Sequence, residues 1–296
     1  MLSIIIPAFK EPGIKKAIDS ILNQKAKEDY ELIISAPDEE TESIVKEYQK
    51  KHKNVIFHKD KRKGKVHALN EAFQICKGRI IIVTDGDVYL NNAAINSIIS
   101  AFKDKNVGCI SGRPVTLNQR SNMIGYWSHL LYDAAHEISR LEWNKKSNFI
   151  ETSGYLFAFL NNGTVKELPP DVAEDSITPY YFYKKGYSIK YVPEAEVYVK
   201  NPTNLEDFIK QRKRTNASHN KLRYYAPDMP RVKTFWNEIK KGTFFALSYP
   251  KTLKEFIWTL FLFLIRFYTW ILMFADKIIP KKIVYKDDWE RIESTK

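Results

Sequence analysis

The chain contains 296 residues, of which 44% are hydrophobic, so it can bury the core of one large domain with an appendage or of two modest domains. The formal net charge of +12 predicts an anionic partner, such as phosphate, an acidic lipid surface or nucleic acid. Cys76 and Cys109 are the only cysteines, which excludes a disulfide framework and a cysteine-rich zinc site and favours a reducing compartment.

Over residues 1–100, short apolar runs alternate with helical patterns. Strands are predicted at residues 2–6, 30–35, 54–58 and 79–84. Helices are predicted between them at residues 12–25, 39–51 and 66–77. This alternation predicts an α/β fold with a parallel, doubly wound sheet, whose ligands bind beyond the carboxyl ends of the strands. Because the chain opens on a strand pattern without a basic leader, this part is expected to stay in the cytoplasm.

The rest of the chain divides near Pro227 and Pro230. Before that point, helices are predicted at residues 122–143, 176–185 and, with a strongly basic character, 205–225. Strands are predicted at residues 149–159, 188–192 and 195–199. After it, the composition changes to an aromatic, apolar segment at residues 256–274. We therefore expect two parts, residues 1–225 and residues 226–296.

Asp85, Gly86 and Asp87 directly follow the last of the first four predicted strands. Hard divalent cations prefer oxygen ligands and are often shared between one or two carboxylates and substrate phosphates. Gly86 would let the backbone turn and approach closely. The motif therefore predicts a metal site, and the alternative is an ordinary strand-to-helix turn, in which Asp and Gly are also common.

Other polar residues are predicted at strand ends and helix starts. Lys65 follows Gly64 at a helix N-terminus, which would suit a diphosphate or form a solvated basic cap. Glu11 and Asp38 follow the first two strands, where a carboxylate could bind a nucleoside or simply complement the N-terminus of the next helix.

Two further groups lie in the second half of residues 1–225. Glu174 and Asp175 stand at the start of a helix, where a carboxylate could remove a proton from an attacking hydroxyl or could cap the helix. Gln211, Arg212 and Arg214 lie in the basic helix. Guanidinium groups suit bidentate contact with phosphate, but a solvated face or a contact with acidic lipid explains them as well.

Taken in order, these motifs resemble those of glycosyltransferase family 2, the inverting enzymes with a GT-A fold. The resemblance covers about residues 1–225 and rests on six motifs: Ile4-Ile5-Ile6-Pro7-Ala8-Phe9-x-Glu11, Gly64-Lys65-x-x-Ala68-Leu69-Asn70, Asp85-Gly86-Asp87, Ser153-Gly154, Glu174-Asp175 and Gln211-Arg212-x-Arg214. Each motif is common by itself, whereas this order is hard to reach by chance.

The resemblance implies a Rossmann-like GT-A mixed sheet flanked by helices, with membrane-associated helices at the C-terminus. It implies that Mn²⁺ or Mg²⁺ is held by Asp87 and Asp85, and that Asp175 is the catalytic base. The implied nucleotide and donor site consists of Pro7, Ala8, Glu11, Asp38, Lys65, Asp85, Gly86, Arg212 and Arg214. The implied acceptor and sugar pocket consists of Ser153, Gly154, Glu174 and Gln211.

This sequence departs from the family pattern at two places. Thr215 stands where the Gln-x-x-Arg-Trp element of the cellulose- and hyaluronan-synthase-like members has Trp, so the acceptor platform of those enzymes is not reproduced here. The second strand ends in Ala36-Pro37-Asp38 rather than Asp-Asp-Gly-Ser, which leaves base recognition by Asp38 open.

The apolar segment at residues 256–274 has an arginine, Arg266, near its middle. At the centre of a bilayer an arginine costs about 2.5–3.5 kcal/mol on insertion scales. On a helix the polar positions share a sector of about 120°, and they are Thr252, Glu255, Thr259, Arg266, Thr269 and Asp276. Tryptophans and lysines that suit an interface surround them: Trp258, Trp270, Lys251, Lys254, Lys277, Lys281 and Lys282. A helix in the membrane interface, a single span with Arg266 against protein, and a soluble core helix remain open.

Together, the residues and the resemblance predict a metal-dependent inverting glycosyltransferase at the cytoplasmic face of a membrane. The expected donor is a UDP-sugar, with a GDP-sugar as the second choice. The expected acceptor is a lipid-linked molecule or a saccharide. One alternative is a sugar-phosphate nucleotidyltransferase, whose Gly-rich N-terminal loop is replaced here by Lys10-Glu11-Pro12. Another is a non-enzymatic membrane or nucleic-acid binder. No nucleic-acid partner is expected, because carboxylates at three strand ends disfavour a polyanion groove.

Overall fold

A computed structural model describes residues 1–230, 241–278 and 293–295. Its strands are β1 (Leu2–Pro7), β2 (Tyr30–Ser35), β3 (Val55–His58), β4 (Ile80–Thr84), β5 (Tyr89–Leu90), β6 (Val107–Thr116), β7 (Leu156–Leu160) and β8 (Ser188–Val199). Its α-helices are α1 (Ile14–Leu22), α2 (Glu39–Gln49), α3 (Lys65–Ile75), α4 (Ala94–Ala101), α5 (Met123–Ala134), α6 (Glu142–Lys146), α7 (Glu174–Lys184), α8 (Leu205–Tyr225), α9 (Thr243–Ser248) and α10 (Leu253–Ile278). A π-helix (Ala135–Leu141) joins α5 to α6, and Glu293–Thr295 form a 3₁₀ turn.

The described strands form one eight-stranded sheet in the order β3-β2-β1-β4-β7-β6-β8-β5. Strands β1 to β4 pair in parallel, as the sequence predicts. Strand β7 runs antiparallel to both of its neighbours, β4 and β6. The sheet is therefore mixed, in agreement with the GT-A fold implied by the resemblance.

Both faces of the sheet are covered, and β1 shows why its sequence is apolar throughout. Ile4 and Ile6 belong to a core with residues of α1 and α4, on what we call the α1/α4 face. Ile5 points the other way, into a core with residues of α3 and α7, on the α3/α7 face. A strand buried on both faces loses the alternation of a half-exposed strand and reads as a continuous apolar run.

Several predicted boundaries were wrong. The single helix predicted at residues 122–143 is α5, the π-helix and α6 in succession, and the strand predicted at residues 149–159 begins only at Leu156. The strands predicted at residues 188–192 and 195–199 form one strand, β8. Pro193 fits within β8 because the pairing with β6 jumps from Ser111–Tyr191 to Arg113–Glu196, and proline is tolerated at such irregularities. Strands β5 and β6 and helix α4 were not predicted.

The C-terminal helices, α9 and α10, pack against residues 1–225, the expected catalytic part. Trp127 of α5, Phe208 of α8, Ala246 of α9 and Leu262 of α10 belong to one buried apolar cluster. Helix α10 contains the whole apolar segment predicted at residues 256–274, whereas Lys281 and Lys282 lie outside the described residues. Within residues 1–230, 241–278 and 293–295, no helix has both the length and the apolar character that crossing a bilayer demands.

Candidate active site

The acidic pair lies where the parallel part of the sheet ends. Asp85, Gly86 and Asp87 directly follow β4. A Cβ atom at position 86 would lie 3.2 Å from Glu11 Cγ and 3.3 Å from Ala8 Cβ. The absence of a side chain at Gly86 therefore lets the loop after β1 pack closely against the acidic pair. Glu11 is brought beside that pair by this packing.

The carboxylates concentrate negative charge in the cleft. Part of the Asp87 residue is exposed at the edge of the cleft although protein atoms surround its carboxylate, and the Asp85 side chain is only 23% exposed. Burial among the surrounding protein atoms and, after it, the charges of Asp85 and Glu11 raise the pKa of Asp87 to about 7. Burial also raises the pKa of Asp85. Such a cleft favours the entry of a positive charge between the carboxylates.

Lys65 supplies one positive charge at this point. It is the first residue of α3, and its Nζ lies 2.6 Å from Asp85 Oδ1 and 2.6 Å from Glu174 Oε1. Burial opposes a charged amine, but the two carboxylates hold the pKa of Lys65 well above its ordinary value. One side chain thus ties the end of β4 to the start of α7.

Asp175 lies in the same cleft. A Cβ atom at position 154 would lie 3.2 Å from Asp175 Oδ2, so the carboxylate sits directly against Gly154. The Thr152 hydroxyl donates a hydrogen bond to the carbonyl oxygen of Asp175. The N-cap of α7 is Ala173, so the alternative that Asp175 caps this helix is wrong.

The residues predicted for the acceptor pocket fall into two groups, those within the cleft and one that supports it. Gly154 lies against Asp175 and Glu174 pairs with Lys65, both within the cleft. Ser153 is 6% exposed, and its backbone N–H donates to Ser111 Oγ at 3.1 Å. Ser153 therefore supports the loop that carries Gly154.

On the side predicted for the nucleotide, Pro7 is the last residue of β1, and the Ala8 N–H donates to the Ser35 carbonyl at 2.9 Å. Asp38 caps α2 by accepting from the Thr41 N–H at 2.9 Å, and it also accepts from the Lys10 N–H at 3.0 Å. Burial works against the charge of Asp38, but these hydrogen bonds lower its pKa. Asp38 therefore braces the loop after β1.

The basic helix α8 reaches the acidic pair. Arg214 lies near enough to Asp85 to lower the pKa of that carboxyl, against the larger effect of burial. The Arg212 guanidinium lies 5.1 Å from the centre of the Phe208 ring. Gln211 is half-buried on the same helix.

Two residues near the cleft were missed by reasoning from the sequence. Asp60 follows β3 and is 7% exposed, and its Oδ2 atom has no hydrogen-bond partner among the described residues. Tyr155 lies beside Tyr132, and burial raises the pKa of Tyr155, with a further contribution from the charge of Asp87. The available signals were the place of Asp60 after a strand and the place of Tyr155 directly after Ser153-Gly154.

A mixed sheet of this order, with an acidic pair after its fourth strand, defines the GT-A class of glycosyltransferase fold. The fold is similar to that of mannosyltransferase PcManGT from Pyrobaculum calidifontis, solved in complex with GDP-Man and Mn²⁺, with a TM-score of 0.57 and 20% identity over 88% of this chain and 72% of that one. It is also similar to Staphylococcus aureus TarS 1–349 in complex with UDP-GlcNAc, with a TM-score of 0.53 and 15% identity over 88% of this chain and 79% of that one.

Residues 1–217 match the family described as glycosyltransferase like family 2, and the chain belongs to that family. The chain is 24% identical over 237 residues to hyaluronan synthase from Streptococcus pyogenes, covering 73% of this chain and 56% of that relative. It is 22% identical over 248 residues to poly-β-1,6-N-acetyl-D-glucosamine synthase from Staphylococcus epidermidis, covering 81% of this chain and 57% of that relative. The chain thus spans little more than half the length of these curated relatives.

Proposed function

We propose that the chain is an inverting glycosyltransferase that moves a sugar from a nucleotide diphosphate donor to an acceptor hydroxyl. The observation that carries this proposal is the double ion pair of Lys65 with Asp85 and Glu174. It joins the acidic pair to the start of α7, where Asp175 lies, so donor and acceptor groups would meet in one cleft. Family membership favours this reaction over nucleotidyl transfer and over polyanion binding.

Asp175 is the general base in this proposal. Its carboxylate takes the proton from the acceptor hydroxyl as that oxygen attacks the anomeric carbon, on the side opposite to the leaving diphosphate. The configuration at the anomeric carbon is inverted as a result. Lys65 and Arg214 offset the negative charge that builds up on the departing diphosphate, the kind of electrostatic contribution that often dominates catalysis.

The donor atoms of the cleft fit Mn²⁺ or Mg²⁺. Asp85 and Asp87 offer hard oxygen ligands. The pKa of Asp87 is raised by burial first and by the charges of Asp85 and Glu11 after it, and a dication would stabilise the charged form of this carboxyl. Among the described residues, no three His, Cys, Asp or Glu side chains converge to hold a metal by themselves. The remaining ligands would come from the diphosphate, and a bound dication would supply further charge neutralisation to the leaving group.

A UDP-sugar remains the first choice of donor and a GDP-sugar the second. Both kinds of donor are present in similar structures, UDP-GlcNAc in that of TarS and GDP-Man in that of the Pyrobaculum mannosyltransferase. The acceptor is proposed to be a saccharide or a lipid-linked saccharide, in keeping with the polysaccharide synthases among the relatives.

The enzyme is proposed to act at the cytoplasmic face of a membrane, attached through α10. Glu255, Thr259 and Thr269 on this helix are 9%, 0% and 8% exposed. The opposite side presents large apolar side chains, among them Leu264 at 64% and Phe267 at 61% exposure. The polar stripe therefore faces the protein and the apolar surface faces outward, which fits a helix lying in a lipid interface.

The experiment that tests this function begins with a thermal-shift screen of UDP, GDP, UDP-GlcNAc and GDP-Man, each with and without Mn²⁺ or Mg²⁺. A ligand that binds only the folded state raises the melting temperature. With the stabilising donor and a membrane extract as the acceptor source, Asp175→Asn is expected to slow nucleoside diphosphate release by about 10²–10⁴-fold, the usual contribution of general base catalysis. The donor-induced thermal shift should persist.

Asp228→Asn is the matched control, because Asp228 contacts Tyr180 and Lys184 of the same helix α7 but not the cleft. It should retain both transfer and the donor-induced shift. If Asp175→Asn lost the donor-induced shift together with transfer, the base would be misassigned. If no nucleotide stabilised the wild-type protein, the proposed reaction itself would be wrong.

A further inference from the structure

Beyond Asp87 the sheet continues as a small extension formed by β5 and the ends of β6 and β8. Tyr89 pairs with Tyr198, and Arg113 pairs with Glu196. Residues that pair across neighbouring strands point to the same face of a sheet. These four side chains therefore share one face, whereas Val197, between Glu196 and Tyr198, points to the core on the α1/α4 face.

This face is ordered by contacts among its own side chains. The rings of Tyr89 and Tyr198 have their centres 5.3 Å apart at an angle of 44°. The Tyr198 hydroxyl donates to Glu196 Oε2 at 3.1 Å, and Arg113 Nη1 lies 3.4 Å from Glu196 Oε1. The Arg113 and Glu196 side chains are still 29% and 26% exposed, and both tyrosines are half-buried. The face thus combines two tyrosine rings with a carboxylate and a guanidinium that solvent can reach.

The face lies on the same side of the sheet as Asp175. Ser111, one residue before Gly112 and Arg113 on β6, accepts a hydrogen bond from Ser153, in the loop whose Gly154 lies against Asp175. Its neighbour across the sheet is Tyr191, which belongs to the core on the α3/α7 face. Along β6 and β8, the pair Arg113–Glu196 follows the pair Ser111–Tyr191 on the same face. The two charged residues therefore lie next to the residues that hold the loop against Asp175.

The π-helix forms one boundary of this face. His136 is hydrogen-bonded to the Tyr191 hydroxyl at 2.8 Å, and the Arg140 guanidinium lies 5.8 Å from the centre of the Tyr191 ring. The π-helix therefore covers the sheet at the row of Tyr191 and leaves the next row, with Glu196, partly open. Such helices are rare and are frequent at functional sites. At the other end, Tyr89 is two residues after Asp87.

We infer that Tyr89, Tyr198, Glu196 and Arg113 form the acceptor subsite, and that its ligand is a saccharide. Tyrosine rings offer an apolar surface to the face of a sugar ring, while the carboxylate and the guanidinium can bind its hydroxyl groups. A lipid chain would instead strip water from a half-exposed ion pair without replacing its hydrogen bonds. This inference rests on the proposed function, since it supplies the hydroxyl that Asp175 activates.

The subsite also accounts for the departure at Thr215. A threonine has no ring on which an acceptor sugar can stack, whereas synthase-like members carry Trp at that place in their motif. The Tyr89–Tyr198 pair offers an aromatic surface from a different part of the fold, the edge of the sheet.

The test measures binding of two probes, β-1,6-linked N-acetylglucosamine tetrasaccharide and mannotetraose, by saturation-transfer NMR on the full chain saturated with the stabilising nucleotide. The wild type is expected to bind at least one probe. Tyr198→Leu should weaken that binding by at least about 10-fold, the effect of losing one well-packed contact residue. Tyr198→Phe keeps the ring and should stay within about 3-fold of the wild type.

Tyr48→Leu is the matched control, because Tyr48 is also half-buried and its hydroxyl donates to a carboxylate, Asp19, at 2.7 Å. It lies on α2, at the β3 end of the sheet, and should leave saccharide binding and transfer unchanged. The donor-induced thermal shift should survive in Tyr198→Leu. Its loss would assign Tyr198 to the donor site and overturn the inference.

Two further outcomes would also overturn it. One is equal binding of the saccharide by Tyr198→Leu and the wild type. The other is binding of neither tetrasaccharide by the wild type, whether or not dodecyl phosphate binds. Failure of the proposed function has a different signature, because then no nucleotide would stabilise the wild-type protein at all.

Discussion

At the scale of single residues, the cleft depends on how a few charges are compensated. Lys65 is 20% exposed and lies within 2.6 Å of one oxygen on each of two carboxylates. Removing one partner of such a buried pair leaves uncompensated charge in a medium that solvates it poorly. Lys65 therefore contributes to the fold, through the link between β4 and α7, as well as to the proposed diphosphate site.

We predict that Lys65→Met lowers the free energy of unfolding by about 3 kcal/mol and weakens diphosphate binding, because Asp85 and Glu174 then lose the cation that joins them. Denaturant unfolding and the thermal-shift response to the nucleotide measure the two effects separately. Lys63→Met removes an exposed lysine from the loop directly before α3 and should change the stability little. A Lys65→Met protein that bound the nucleotide as tightly as the wild type would limit Lys65 to a structural role.

The position of the acidic pair was readable from the sequence, because an apolar run directly before it specifies a strand end, and β4 does end at Thr84. The environment of Asp38 was not, since an Asp before a helix suits a cap and a ligand equally, and only the fold brings the Lys10 N–H to it. Tyr155 reaches the cleft because β7 pairs antiparallel with β4, with Leu156 opposite Thr84. That pairing joins residues far apart in the chain, and no local pattern encodes it.

At the scale of secondary-structure elements, α10 buries polar side chains next to Leu262 and exposes large apolar ones, unlike a helix on the surface of a soluble domain. Its buried side includes the Thr259 hydroxyl, hydrogen-bonded to Tyr126 at 2.6 Å, and the Trp258 carbonyl, which accepts from Trp127 Nε1 at 2.7 Å. Its outer side includes Phe261, which is 51% exposed. This arrangement follows from the positions of the polar residues along the helix, once the side that packs on α5 is known.

We predict that the double variant Phe261→Glu and Leu264→Glu no longer floats with lipid vesicles that contain phosphatidylglycerol. Each apolar side chain withdrawn from a lipid interface loses about 1.5–3 kcal/mol of transfer free energy, and both side chains are more than half exposed, at 51% and 64%. Ile75→Glu, at an apolar residue 39% exposed on α3, should float like the wild type. Wild-type protein that stayed with the soluble fraction would rule out attachment by α10.

Strands and helices were predicted well where one hydrophobic period dominated the sequence. They were predicted poorly where pairing with a distant strand overrode the local preferences of the residues. Strands β1 to β4 are continuous apolar runs between helical patterns. Strand β6 contains Gly108, Gly112 and Pro114, all of which argue against a strand by their local preferences. Pro114 is accommodated because the pairing of β6 with β7 ends at Ser111, so that side of the strand needs no donor there.

At the scale of the whole molecule, the catalytic part and the C-terminal helices are joined by charge as well as by apolar packing. Arg120, in the loop before α5, holds Glu255 of α10 through two hydrogen bonds, 2.7 Å from Nε to Oε1 and 3.0 Å from Nη2 to Oε2. The same guanidinium lies 4.5 Å from the centre of the Tyr249 ring. Packing therefore continues across the division proposed between residues 225 and 226. That this division is a domain boundary stays a prediction.

This connection predicts how stability depends on pH. The hydrogen bond from Arg120 lowers the pKa of Glu255 to about 2, from an ordinary value of 4.5. A carboxyl with a depressed pKa stabilises the folded state fully above its unfolded pKa and loses that contribution as the pH falls towards its folded pKa.

We therefore expect Glu255→Gln to melt about 2–4 °C below the wild type at pH 6, for a loss of roughly 1 kcal/mol in a domain of this size. The difference should shrink between pH 4.5 and pH 2, because protonation then removes the charge from the wild-type side chain as well. Melting curves of both proteins across this range measure the effect, with Glu194→Gln, at an exposed carboxylate of β8, as the control. A difference that stayed constant with pH would mean that Glu255 joins the two parts by shape and neutral hydrogen bonds alone.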